Sequence, residues 1–340
     1  MAAVTDGATS VANTAELGDV VTSDDIRNRY IDLLRDSLTM MLWRGADGNT
    51  SGRDADSHGA MMRENGRDWP KLAHSMIGAK RMNNLQFCVE DVLKHDISGD
   101  LIETGVWRGG ACIFMRGILA AHGDKSRRVW VADSFEGLPK ANASKYPLDA
   151  LGAPFHRFRQ LAVSEEQVAE NFRRYGLLDD QVVFLKGFFS ESLPGAPIEK
   201  LAVLRLDGDM YESTIDALVN LYSKVSDGGY IIVDDYAIEG CREAINDFRR
   251  DNGIDDLIRT VDWSGVFWQK GSGPAPATLS TDEIEHEKKV LAETFDRSPG
   301  STPATGVRAL RTEVINRIPI PVRNRLVAAR RALRSIVKPQ

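Results

Sequence analysis

The chain has 340 residues, 42% of them hydrophobic and 27% charged, which suits one sizeable soluble domain with appendages. No run approaches the eighteen or so apolar residues of a membrane span, and a net charge of −6 excludes a nucleic-acid footprint over the chain as a whole. The charge is uneven: residues 301–340 hold nine Lys/Arg and one Glu, +8, which leaves −14 for residues 1–300.

Residues 1–23 carry acids but no base and no aromatic, and read as a disordered tail. Residues 24–95 read as N-terminal helices with a lid loop. Ser and Asp open a stretch with Ile26, Tyr30, Leu33, Leu34, Leu38 and Met41 at helical spacing, which predicts a capped amphipathic helix packed on the core or on a second subunit. Residues 44–67, rich in Gly, Asp and Asn and containing His58, predict a long lid-type loop that Trp69-Pro70 ends. Met76, Met82, Leu85, Cys88, Val89 and Val92 then mark a second helix.

Residues 96–270 alternate strand and helix. The stretch LIETGVWRGG, Leu101 to Gly110, is an apolar strand closed by Glu103, followed by a glycine turn and a helix. Such a corner brings backbone close to a ligand and offers free N–H groups at the helix N-terminus. Only Gly105, Gly109 and Gly110 are present, so the dinucleotide spacing G-x-G-x-x-G is absent. An acid beside the turn suits a cofactor that is cationic there and has no pyrophosphate, as S-adenosylmethionine is. Further strands follow at Val129–Ala132 (closed by Asp133), QVVFLKGFF, LAVLRLDGD and GGYIIVDDY, with helices at SEEQVAENFRRYG, STIDALVNLYSKV and CREAINDFRRDNG. Buried strands separated by helices predict an α/β, doubly wound parallel sheet, and IRTVDWSGVFWQK predicts an antiparallel edge hairpin. Residues 271–340 read as a linker around the helix TDEIEHEKKVLAETF, then a basic helical extension with Val322, Leu326, Ala329, Leu333 and Ile336 on one face. That tail suits an anionic membrane surface or an acidic partner. Cys88, Cys112 and Cys241, with no CxxC and no paired framework, predict reduced core thiols of a cytoplasmic protein.

In a parallel sheet the acids that close the strands, Glu103, Asp133, Asp207, Asp209, Asp234 and Asp235, all reach one edge. A carboxylate after the second strand can accept both ribose hydroxyls, which assigns Asp133. Asp207, Asp234 and Asp235 packed together repel unless a cation or protons compensate, and all-oxygen ligation suits Mg²⁺. The plainer alternative is that these aspartates cap helices or pair with Arg205 or Lys186.

The motifs ETGVWRGG, ADSFEGLP, LRLDGDMYEST, GGYIIVDDY and the upstream GRDWP…HSMIG…R…NNLQ together resemble the macrocin O-methyltransferase family over roughly residues 26–270. The resemblance implies a class I (Rossmann-like) methyltransferase fold. It also implies S-adenosylmethionine and Mg²⁺, and a sugar hydroxyl of a glycosylated natural product or glycolipid as acceptor. It places Met76, Ile77, Glu103, Thr104, Gly105, Val106, Trp107, Gly109, Asp133, Ser134 and Gly187 at the cofactor, and Asp207, Asp234 and Asp235 at the metal, with Asp207 as base. It implies a small-molecule glycoside partner and a homo-oligomer. A catechol or phenol acceptor, and a non-catalytic cofactor-binding scaffold, are the alternatives. His58, His74, His156, Trp69, Tyr211 and Tyr236 are secondary candidates for site contacts.

Overall fold

The computed structural model describes residues 22–43 and 58–274. The expected disorder of residues 1–21, the first part of the lid loop (residues 44–57), the linker helix and the basic tail lie outside the described residues. The strands are β1 (Asp100–Thr104), β2 (Val129–Asp133), β3 (Val182–Lys186), β4 (Leu201–Leu206), β5 (Val225–Val233), β6 (Arg259–Thr260) and β7 (Val266–Gln269). The helices are α1 (Ser23–Leu38), α2 (His58–Glu64), α3 (Gly78–Lys94), α4 (Gly110–Ala121), α5 (Pro147–Leu151), α6 (Glu165–Arg174), α7 (Phe189–Ser192), α8 (Tyr211–Leu221) and α9 (Glu239–Asp251).

The strands form one sheet in the order β3-β2-β1-β4-β5-β7-β6, parallel except for β7 and β6. This is the expected doubly wound sheet with its antiparallel edge. β4 is buried at every position, as an apolar run covered on both faces must be. The chain leaves β1 for β2 on one side and returns to β4 on the other, so the crevice at the carboxyl ends of β1 and β4 is the topological switch point. Register holds the crevice together: Thr104 lies opposite Leu206, and Leu206 opposite Val233.

α4 is buried along most of its length, because it lies between the sheet and the outer helices α1 and α3. Gly117 is where α1 comes closest: a Cβ there would collide with Leu34. The predicted face of α1 holds at Leu34 and Leu38 and is corrected at Ile26, Tyr30 and Leu33. Ile31, Leu34 and Leu38 face the core, while Ile26, Tyr30 and Leu33 are 62%, 38% and 56% exposed. Both stripes have helical spacing. The helix turns toward the one that also buries Arg35, whose guanidinium donates to Asp32, Asp36 and Asn83. Its cap is Thr22, one residue earlier than read, in a reciprocal capping box with Asp25. His58 is likewise corrected: it begins the short helix α2 rather than lying in a loop.

Residues 140–158 contain α5 and a 3₁₀ turn at Phe155–Arg157, and Ser164 caps α6. Cys88, Cys112 and Cys241 are free and buried. Among the described residues no helix is long and apolar enough to cross a membrane.

Candidate active site

A cavity of about 520 Å³ opens at the switch point. One wall is the glycine corner. Gly105 has φ +92°, and a Cβ there would strike the Asp207 carbonyl oxygen, so the β1 turn lies directly against the β4 turn. Gly109, at φ +83°, starts α4 without a side-chain cap, leaving the helix N-terminus to the neighbouring chain and to a ligand. Trp107 and Asp209, two of the five non-glycine residues with positive φ among those described (+48° and +58°), line the cavity. Trp107 is held by its indole N–H, which donates to the Gln160 carbonyl at 2.9 Å.

Met76, Ile77, Glu103, Gly105, Val106, Trp107, Asp133, Ser134, Asp207, Asp234 and Asp235 line this one cavity together. Thr104, Gly109 and Gly187 do not line it; they shape its backbone. Thr104 Oγ1 donates to the Arg205 carbonyl, and the Gly187 N–H donates to the Asp133 carbonyl. The Asp133 carboxylate accepts from the Val106 N–H at 2.7 Å and the Phe135 N–H at 2.8 Å, so it braces the glycine turn. Burial nevertheless raises its pKa above the usual carboxylate value. The alternative partner Lys186 is more than half exposed and pairs with Glu165.

The acid cluster is denser than the strand ends alone suggested. Asp207, Asp234 and Asp235 each present an oxygen, all within 4.8 Å of one another. Arg205, 1% exposed, is inserted among them and pairs with Glu103, Asp207 and Asp234. Arg81 pairs with Asp234 and, at 3.1 Å, with Asp262. Two guanidiniums thus pair with four carboxylates, those of Glu103, Asp207, Asp234 and Asp262, and Asp209 and Asp235 lie beside them. The excess of negative charge shows in the titrations. Burial, with Asp234 beside it, raises Asp207. Burial and the neighbouring aspartates push Asp209 up to about 8 and Asp235 well above the usual range. Burial pushes Glu103 up to about 7, with Arg205 opposing. A buried all-carboxylate donor set with too few cations fits a hard divalent ion.

Arg81 had no role in the sequence reading, although it is the R within the GRDWP…HSMIG…R…NNLQ motif. Its partners come from the β6–β7 turn. Asp262 accepts from Arg81, and Trp263 receives the guanidiniums of Arg67 and Arg81 over its ring at 4.6 and 5.7 Å. The Trp263 N–H donates to the Asn65 carbonyl at 2.7 Å. The edge hairpin therefore fastens the segment before Trp69 over the acids.

Several secondary candidates are resolved. Trp69 lines the cavity edge-on to Phe158. His156 is exposed and outside the cavity lining. Tyr211 and Tyr236 are corrected as site contacts: Tyr211 donates to Asp247 and Tyr236 to Asn246, on the α9 side. His74 lines the cavity and shares a hydrogen bond with the Tyr175 hydroxyl at 3.0 Å. Burial, then Arg108 and Arg174, lower its pKa to about 4. The unfolded chain accepts a proton on His74 below about 6.5 while the folded chain refuses it until about 4, so protonation favours unfolding across that window. Thermal melts of wild type and His74→Gln from pH 7 to 4 should show a difference curve in which the wild type alone loses stability below about pH 6.5. Parallel curves would refute the neutral, buried imidazole.

A doubly wound sheet with an acid-and-glycine corner after β1 and an acid cluster after β4 and β5 defines a class I O-methyltransferase. The macrocin-O-methyltransferase (TylF) family model matches residues 27–270. The chain belongs to that family. It is 52% identical over 261 residues to the 8-demethyl-8-(2,3-dimethoxy-alpha-L-rhamnosyl)-tetracenomycin-C 4′-O-methyltransferase of Streptomyces olivaceus, covering 76% of this chain and 100% of that one. It is 47% identical to the mycinamicin III 3″-O-methyltransferase of Micromonospora griseorubida, covering 72% and 96%. Among solved structures, the O-methyltransferase NovP superposes with a TM-score of 0.68 at 50% identity, over 72% of this chain and 99% of that one. Membership implies S-adenosylmethionine as methyl donor. The match ends at residue 270, so the C-terminal extension lies beyond it.

Proposed function

We propose that this enzyme methylates a sugar hydroxyl of a glycosylated natural product or glycolipid, with Mg²⁺ held by Asp207, Asp234 and Asp235. The observation that carries this reading is the single cavity shared by the glycine corner and the acid cluster. A methyl donor on one side and a hydroxyl on the other would meet without crossing a barrier. The substrates named for the tetracenomycin and mycinamicin relatives support a sugar as acceptor.

Bound S-adenosylmethionine supplies an electrophilic methyl on a cationic sulfonium, and bound Mg²⁺ would lower the pKa of an acceptor hydroxyl and orient it. The chain's own residues do the rest. The Gly105–Trp107 turn and the open end of α4 hold the methionine part, with Met76 and Ile77 over it. Asp133 and Ser134 lie where the ribose would rest. Asp207 takes the hydroxyl proton. Arg81 and Arg205 keep the acids in place. Much of the rate comes from alignment, since methyl transfer needs a near-linear approach.

The test is titration calorimetry of S-adenosylmethionine with and without Mg²⁺, followed by mass spectrometry of 4-nitrophenyl glycosides for products heavier by one methylene. Methylated glycoside that disappears in EDTA and returns with added Mg²⁺ is the expected result. Full turnover in chelator would remove the metal, and methylated catechols with untouched glycosides would change the acceptor. A cytoplasmic homo-oligomer belongs to the same proposal; the exposed Ile26, Tyr30 and Leu33 on α1 support the assembly, and sedimentation of the full chain tests it.

A further inference from the structure

The outer wall of the cavity comes from the segment between β2 and α6, which contributes Leu138, Pro139, Lys140, Asn142, Phe155 and Leu161 to the lining. This segment is poor in the usual means of attachment. From Glu136 to Ala162 one residue is buried, and it is a carboxylate, Asp149. Leu151, two positions on, is 82% exposed. Apolar burial therefore does not fasten the wall to the domain.

The Asp149 carboxylate accepts from the first two backbone N–H groups of α8, with Oδ1 on Tyr211 at 2.7 Å and Oδ2 on Glu212 at 3.0 Å. Those N–H groups begin a helix that has no side-chain cap of its own. Met210 precedes it in extended conformation and cannot supply one. Asp149 thus serves as the missing cap from 62 residues away, counted to Tyr211, with its charge at the positive end of the helix. Room is left by Gly240 at the start of α9, where a Cβ would lie 2.9 Å from Asp149 Oδ1. The Tyr146 and Tyr211 rings, 5.3 Å apart, close over the same joint.

α8 is part of the site. It follows the Leu206–Asp209 turn directly, and its Glu212, Ser213 and Asp216 line the cavity together with the segment. We propose that Asp149 is a positioning residue for acceptor recognition: it holds the Leu138–Leu161 wall at a fixed distance from α8, so that the acceptor fits between them. Met76 and Glu103 on the methyl-donor side belong to other elements, and Trp107 meets the wall at its far end, through the Gln160 carbonyl, away from Asp149. This inference rests on the methyl-transfer reading for its kinetic part and on the structure alone for the attachment.

Two measurements on the full chain test it, with wild type, Asp149→Ala and Asp149→Asn. Hydrogen exchange is followed at the Tyr211 and Glu212 amides and across residues 138–161. Loss of protection at both amides and along the wall is expected in Asp149→Ala. An asparagine side chain has one carbonyl oxygen and one NH₂, so protection at only one of the two amides is expected in Asp149→Asn. In the second measurement, S-adenosylhomocysteine affinity should stay within about twofold of wild type in both variants. The KM for 4-nitrophenyl α-L-rhamnoside should rise about tenfold or more in Asp149→Ala, with kcat changed less than KM. Unchanged protection at Tyr211 and Glu212 would overturn the attachment. A parallel loss of S-adenosylhomocysteine affinity, or an unchanged KM, would overturn the acceptor role. If wild type leaves the rhamnoside unmethylated under every condition, the substrate reading fails, while the exchange data still decide the attachment.

Discussion

Arg205→Met lowers the midpoint of thermal unfolding by about 10 °C, the largest stability effect expected of a single substitution in the site. Arg205 lies on the fully buried strand β4 and is the shared partner of Glu103, Asp207 and Asp234. Methionine fills much of the volume but leaves those carboxylates facing one another without their shared cation. Removing one member of a buried ion network costs about 3–5 kcal/mol, because the remaining charges stay desolvated. At about 2–4 °C per kcal/mol for a domain of this size, the shift follows. The deficit has a pH signature. Glu103 and Asp207 already titrate high, from burial and mutual repulsion, and losing Arg205, which opposes both shifts, raises them further. Protonation relieves the repulsion, so the variant recovers part of its loss as pH falls from about 8 toward about 6. Calorimetric scans of both proteins at the two pH values check this. A shift under about 2 °C at the higher pH would mean that the cluster holds protons in place of charge.

Asp207→Asn is expected to reduce kcat by about 10²–10⁴, the span general-base removal usually produces. Within the cluster Asp207 is the reachable carboxylate: its side chain is 25% exposed, against 6% for Asp234 and 3% for Glu103. Asparagine keeps the shape and can still accept from Arg205, whose N–H group lies 2.6 Å from the Asp207 carboxylate. The loss should therefore appear in turnover rather than in folding. S-adenosylhomocysteine affinity should change little, because the glycine turn touches Asp207 through its backbone carbonyl and not its side chain. Single-turnover kinetics with 4-nitrophenyl α-L-rhamnoside and calorimetry with S-adenosylhomocysteine separate the two effects. A variant that retains more than about a tenth of wild-type kcat would place the base elsewhere.

The strands were legible because each is a short apolar run, and helices between them force parallel pairing. The acids at the strand ends were legible for the same reason: parallel strands deliver their C-terminal residues to one edge. Glu103, Asp133, Asp207, Asp234 and Asp235 all line the cavity at that edge. Residue spacing on one element determined this much.

Tertiary structure decided what depends on two distant elements meeting. α1 offers two apolar stripes of helical spacing, and only its packing on α4 at Gly117 selects Ile31, Leu34 and Leu38 over Ile26, Tyr30 and Leu33. Arg81 reads as an ordinary helical cation until the β6–β7 turn places Asp262 and Trp263 beside it. Tyr211 and Tyr236 stand next to acid motifs in the chain, yet the turn into each helix directs their hydroxyls to α9. Asp149 lies in a stretch without periodicity, and its meaning comes from an uncapped helix 62 residues later. Local periodicity carries information about which face of an element is apolar. It carries none about which distant polar group will satisfy a buried charge or an open helix end, and those pairings complete this site.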